Sequence, residues 1–306
     1  MTSTPFRVLS VRPAIRRIML LTPLMWGSAR PVHSASYQVV STRDVNHTLG
    51  PCSAECSPTN FGQLLRSCAF VDNAGVTTVT CNYETTYAPG VCGRRPEGFA
   101  VEAAGPDVPV VGAVLQQLTQ LEAAAVVAFE RMHAELKACG APANLVQRAS
   151  AAAQDERRHT RVMNALAARF GGHLPAALPA PLPVRPPEDW AQENAAEGCV
   201  RETFGAVVAS WQAAHAADVK VRHAMAAIAL DEADHAQLSL DCHAWVMAGL
   251  SPRARDRVLQ ARDAALTQLK TEVAAPVHPE VVAVLGLPAP HHAAALLDAA
   301  SAEFWS

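Results

Sequence analysis

The feature that most limits how this chain can fold is a short motif written twice. Asp155-Glu156-Arg157-Arg158-His159 and Asp231-Glu232-Ala233-Asp234-His235 both read Asp-Glu-x-x-His, each inside an alanine-rich segment. Glu and His three residues apart lie on one face of a helix. In both segments that face is also the apolar one. An ionised carboxylate on such a face is costly unless it is paired or bound to a metal. Any fold for this chain must therefore bring partners to these groups in its interior.

The apolar residues say what surrounds them. From Val111 a seam runs Val111, Leu115, Leu118, Glu122, Ala125, Phe129, Met132, Leu136, in alternating steps of four and three. That alternation predicts a helix in a bundle. Cys139-Gly140-Ala141-Pro142 ends it and starts a second, with a seam of Leu145, Ala149, Ala152, Glu156, His159, Met163, Leu166 and Phe170. Residues 173–187 are rich in proline, which excludes continuous helix and predicts a stiff extended crossover. A third helix is expected over about 188–216, with Trp190, Asn194, Glu197, Arg201, Phe204, Val208, Trp211 and His215 on its seam. A fourth follows near Asp218, with Val221, Met225, Ile228, Glu232, His235, Ser239, Cys242 and Val246. Ser251-Pro252 is a helix start, Gly286 to Pro290 a break, and a last helix covers about 291–304.

Two helices, a long crossover and two more helices make an all-α, four-helix bundle over 106–250, with 251–306 as helices packed on it. The halves form a diverged repeat, in which each first helix carries a seam Glu and each second helix carries Glu-x-x-His. Glu122 and Glu156 are 34 residues apart, Glu197 and Glu232 35, so equal hairpins place each pair at one level. Glu122, Glu156, His159, Glu197, Glu232 and His235 are thus the expected metal ligands, a set suited to two iron ions, with manganese as the alternative. Glu197 and Glu202 are five residues apart, about 140° around an α-helix, so both cannot hold equivalent positions. Glu197 is expected to ligate because it repeats the Glu122–Phe129 spacing with Phe204. Glu202 is expected beside the site or as an alternative ligand. Asp155 and Asp231 are placed to accept hydrogen bonds from ligand imidazoles across the bundle. Asn194 and Arg201 are further polar neighbours, and Glu130-x-x-His133 lies off the seam, where a surface pair is expected.

The first third of the chain has a different character. Arg7, Arg12, Arg16 and Arg17 precede the apolar run Ile18–Trp26, and small residues follow, which reads as an export signal over 1–36. Cys52, Cys56, Cys68, Cys81 and Cys92 then crowd into a segment, 37–105, with many turn-forming residues and little helical periodicity. In an exported protein this predicts a small irregular module holding at least two disulfides, and a periplasmic or extracellular location. Cys139, Cys199 and Cys242 fall in helical segments and are expected as buried thiols. The formal charge of -3 offers no basic face for nucleic acid.

With these ligand motifs the chain resembles the ferritin-like superfamily of di-iron carboxylate bundles. Cys92–Phe99 (CGRRPEGF), Leu121–Phe129 (LEAAAVVAF), Asp155–His159 (DERRH) and Glu197–Ala206 (EGCVRETFGA) are similar to ferritin-like proteins of myxobacterial type with an N-terminal cysteine-rich segment. The resemblance implies the fold and the dinuclear site, and supplies no substrate. Three functions follow from such a site. One is an oxidoreductase that reacts with dioxygen or peroxide. The second is iron oxidation and storage. The third is a metal-stabilised envelope protein without turnover. Tyr37, Tyr83 and Tyr87 all lie before the bundle, which argues against tyrosyl-radical chemistry.

Overall fold

The computed structural model describes residues 10–21, 37–45, 52, 56, 63–73, 76–85, 94–96, 99, 101–102, 104–105, 107–173 and 183–305. The chain is mostly helical. Helix α2 (Val110–Ala138) is closed by Gly140, whose φ of 68° is a conformation only glycine adopts without strain. Pro142 then leads into α3 (Ala143–Arg169). The two lie antiparallel and very close where they begin and end, since a Cβ on Gly112 would overlap the Phe170 carbonyl. The third helical element is composite: α4 (Pro187–Glu193), a π-helical stretch (Asn194–Glu202) and α5 (Thr203–His215). Asp218 caps α6 (Val219–Gly249), accepting from the backbone N–H groups of Lys220 and Val221 at 2.9 Å. α6 packs on α5, on the π-helical stretch and on α3, so the two hairpins meet through their second helices.

Three further helices cover this body. α7 (Pro252–Val273) starts at Ser251, whose hydroxyl accepts from Ala254 N, and lies along the π-helical stretch. α8 (Pro279–Leu285) and α9 (Pro290–Ala300) follow, and α9 runs into a π-turn, Ser301–Trp305. α8 lies ahead of the expected break at Gly286, a separate helix that the periodicity does not predict.

The N-terminal part holds a helix and a sheet. α1 (Val11–Leu21) includes Arg12, Arg16, Arg17 and Ile18 of the expected leader, while residues 22–36 lie outside the described residues. α1 packs on α5 and α6 through Val11, Ala14, Ile15 and Ile18, with Arg12 bound to Asp234 and Arg17 to Glu303. The cysteine-rich segment is more regular than its turn residues suggest. β1 (Tyr37–Val45), β2 (Gln63–Asn73) and β3 (Val76–Thr85) form an antiparallel sheet in the order β1-β3-β2. β-branched residues such as Val79 and Thr80 suit a pleated surface, and the cysteines mask that pattern in the sequence. Cys68 and Cys81 face each other across β2 and β3, and each is tied to a cysteine earlier in the chain, in disulfides Cys52–Cys68 and Cys56–Cys81. Cys92 lies outside the described residues. Cys199 and Cys242 are buried thiols, whereas Cys139, at the C-terminal end of α2, is only half-buried.

Two large apolar clusters fill the helical body. One gathers Leu115, Leu118, Phe204, Val208, Met225, Leu269 and Leu296, the other Phe129, Met132, Leu136, Ala152, Trp190 and Leu238. Between them, at the level of residues 122, 156 and 232, sits a layer of fully buried carboxylates and imidazoles. α2 is apolar and long enough by composition to cross a membrane, yet it is almost entirely buried by its neighbours, as an all-round apolar helix must be in a globular protein.

Candidate metal centre

Each ionisable group in the polar layer is delivered by one helix. α2 supplies Glu122, α3 supplies Glu156 and His159, α6 supplies Glu232 and His235, and the π-helical stretch supplies Glu202. They gather into two overlapping sets. In one, Glu122, Glu156, His159 and Glu232 each offer an atom within 4.8 Å of the others; in the second, Glu156, Glu202, Glu232 and His235 do. Glu156 and Glu232 belong to both sets. Glu156 turns Oε2 toward His159 Nδ1 at 3.5 Å and Oε1 toward His235 Nδ1 at 3.1 Å. Glu232 Oε1 lies 3.2 Å from His159 Nδ1, and Glu122 Oε2 lies 3.6 Å from it.

Eight buried atoms point into this layer without a well-formed hydrogen bond among the described residues: Glu122 Oε2, both oxygens of Glu156 and of Glu232, Glu202 Oε1, and Nδ1 of His159 and His235. Buried polar atoms are nearly always satisfied, so this many converging together could hold a metal ion. Burial raises Glu122 and Glu232 above the ordinary carboxylate range and pushes Glu202 up to about 8. Glu156 also suffers desolvation, but the two imidazoles beside it hold it low. Desolvation opposes protonation of His159 and His235, yet the surrounding carboxylates raise both. The layer thus attracts positive charge strongly.

The outward nitrogens of the imidazoles are fixed from the opposite hairpin. Asp231 on α6 accepts from His159 Nε2 at 3.1 Å, and Asp155 on α3 accepts from His235 Nε2 at 3.4 Å. This leaves each Nδ1 free to act as a ligand. Arg158, which the sequence reading had not singled out, donates to both aspartates, at 2.6 and 2.9 Å. Glu130 and His133 stay apart from the layer: Glu130 pairs with Arg157, and His133 Nδ1 meets the Val146 carbonyl.

The third helix departs from expectation. Glu197 is outside the layer and half-buried, bound by Arg95 through its backbone N–H and Nε, and by Arg201 Nε at 3.3 Å. Arg201 faces α7, where both terminal nitrogens grip Glu272. Glu202 is fully buried and takes the inward place. The reason is local geometry. A π-helix closes i→i+5 bonds, so it breaks the three–four alternation on which the seam through Glu197 was drawn. α7 also buries the outer face of this segment, which makes that face read as core.

Asn194 lies near the centre, donating from Nδ2 to the Ser239 carbonyl and accepting from Arg94. Arg94 itself comes from the N-terminal segment, a source that helical periodicity could not reveal. It is fully buried, with Nε 3.4 Å from Glu202 Oε2 and its guanidinium 5.2 Å from the Phe129 ring centre. The segment after it is pinned to α2, where Gln120 accepts from Glu102 N at 2.6 Å and donates to Glu102 O at 2.8 Å. No family model, curated protein or solved structure matches this chain.

Proposed function

We propose that this chain is a ferritin-like protein with a dinuclear metal centre, most naturally di-iron, that reacts with dioxygen or peroxide as an oxidoreductase. The observation that carries the reading is the sharing of Glu156 and Glu232 by two ligand sets. Two carboxylates common to both sets would serve a pair of neighbouring ions. Glu122 and His159 would complete one position, Glu202 and His235 the other. Ions held mainly by carboxylates keep open positions and supply redox chemistry toward oxygen. The protein's part is to orient the ligands and to control charge. Asp231 and Asp155 hold the imidazoles in one tautomer, Phe129 packs 5.0 Å from the His235 ring, and the apolar clusters on either side keep bulk water out. The two disulfides support a working place outside the cytosol.

Anaerobic reconstitution with ferrous iron should load about two ions per chain, and admitting oxygen should consume it with a change in the iron spectrum. Elemental analysis showing no metal, or one tightly held zinc, would refute the dinuclear reading. Two bound ions without oxygen uptake would instead leave a metal-stabilised protein without turnover.

A further inference from the structure

We propose that Arg94 is a positioning residue for the second metal position, delivered by the N-terminal segment and admitted by Gly198. The inference rests on the dinuclear reading above. Glu202 has one oxygen engaged and one without a hydrogen-bond partner among the described residues. Oε2 accepts from Ser239 Oγ at 3.0 Å and lies 3.4 Å from Arg94 Nε, while Oε1 is among the buried atoms aimed into the layer. Arg94 therefore fixes which oxygen of Glu202 turns inward. The guanidinium is itself held by Asn194 Oδ1, by Ser239 Oγ at 3.5 Å, by Met132 Sδ at 3.5 Å, and by stacking over Phe129. Such a planar, multiply anchored cation sets a direction as well as a charge.

Its seat exists because residue 198 has no side chain. A Cβ there would overlap Arg94 Nη2 and press on Ser239 Oγ and Asn194 Oδ1. Gly198 sits within the π-helical stretch that carries Glu202, four residues before it. Glu202 belongs to only one of the two ligand sets, so the effect of Arg94 is confined to one ion.

The test is a titration of the apoprotein with cobaltous ion alone, followed by calorimetry and visible d–d absorption, for the wild type and for Arg94→Met, Arg94→Lys and Gly198→Ala. The wild type should take up two ions. In Arg94→Met and Gly198→Ala the first ion should bind within about twofold of wild type and the second about 10–100-fold more weakly, the range for losing a partner that orients a ligand. Arg94→Lys, which keeps the charge without the planar fork, should fall between. Should Arg94→Met fail to fold, Gly198→Ala decides, since it retains the arginine and evicts it from its seat. Unchanged second-ion affinity in a folded variant, or equal weakening of both ions, overturns the proposal. A wild type that binds fewer than two ions removes the dinuclear reading itself, and is recognised before any substitution is made.

Discussion

Replacing Glu197 and Glu202 one at a time by alanine separates the interior of the site from its surroundings. Glu202 is fully buried, and its removal strands Arg94, which is itself 2% exposed. Breaking a buried ion pair by deleting one partner costs about 3–5 kcal/mol. Because burial pushes Glu202 up to about 8, most of its charge is already quenched at neutral pH, and the cost should not exceed the lower end, about 3 kcal/mol. Glu197 has a side chain 16% exposed and partners that keep other contacts, Arg201 with Glu272 above all. Its removal should cost about 1 kcal/mol or less, as for a pair near the surface. Denaturant unfolding of both apoproteins reads these costs, and metal analysis after ferrous loading reads the site. Glu202→Ala should hold about one ion per chain and Glu197→Ala about two, following the ligand sets. If Glu197→Ala empties a position while Glu202→Ala keeps both, the inward role given to Glu202 is wrong.

Three other outcomes are expected. Asp231→Ala removes the acceptor that fixes His159, so metal affinity should fall about 10–100-fold with little change in helical content, read by competition with a chelator. Burial holds His243 on α6 down to about 4 against an unfolded value of about 6.5, so its neutral form is the one the fold accommodates. Its contribution to stability is complete above about pH 6.5 and is lost as pH falls toward about 4, by about 3 kcal/mol in total; a His243→Phe variant with the same pH slope as wild type would refute this. Peptide mapping without reductant should recover the Cys52–Cys68 and Cys56–Cys81 links, and reduction should melt the sheet, whose buried core among the described residues is small, while leaving the helical circular dichroism in place.

The parts of the site legible in the sequence are those built on uninterrupted helices. Every seam residue read on α2 and α6 is buried, as is every one on α3 up to Leu166, with Phe170 half-buried at its end. On α3 and α6 the i, i+3 spacing therefore carried Glu156, His159, Glu232 and His235 to the interior together. Position 202 was legible only as a neighbour or alternative ligand, because its inward turn depends on a π-helical stretch, which shifts phase without any residue that announces it. Arg201 misled for the opposite reason: it is buried, but against α7. Arg94 was out of reach of periodicity altogether, since its neighbours come from α2, α6 and the π-helical stretch, and only the folded chain brings them together. The strands were hidden by disulfide-forming cysteines and turn residues, which dominate the composition there.

The π-helical stretch also has a kinetic consequence. Its partners arrive from far along the chain in both directions: Arg94 meets Asn194 across 100 residues, Arg95 meets Glu197 across 102, and the Trp305 indole donates to the Cys199 carbonyl across 106. α2 with α3, and α5 with α6, close over short turns and meet early. Contacts that span about a hundred residues must wait for long loops to close. The segment that sets the second metal position is thus among the last parts of the molecule to settle during refolding. In pulse-labelling during refolding, its amides should therefore gain protection later than those in the middle of α3 and α6.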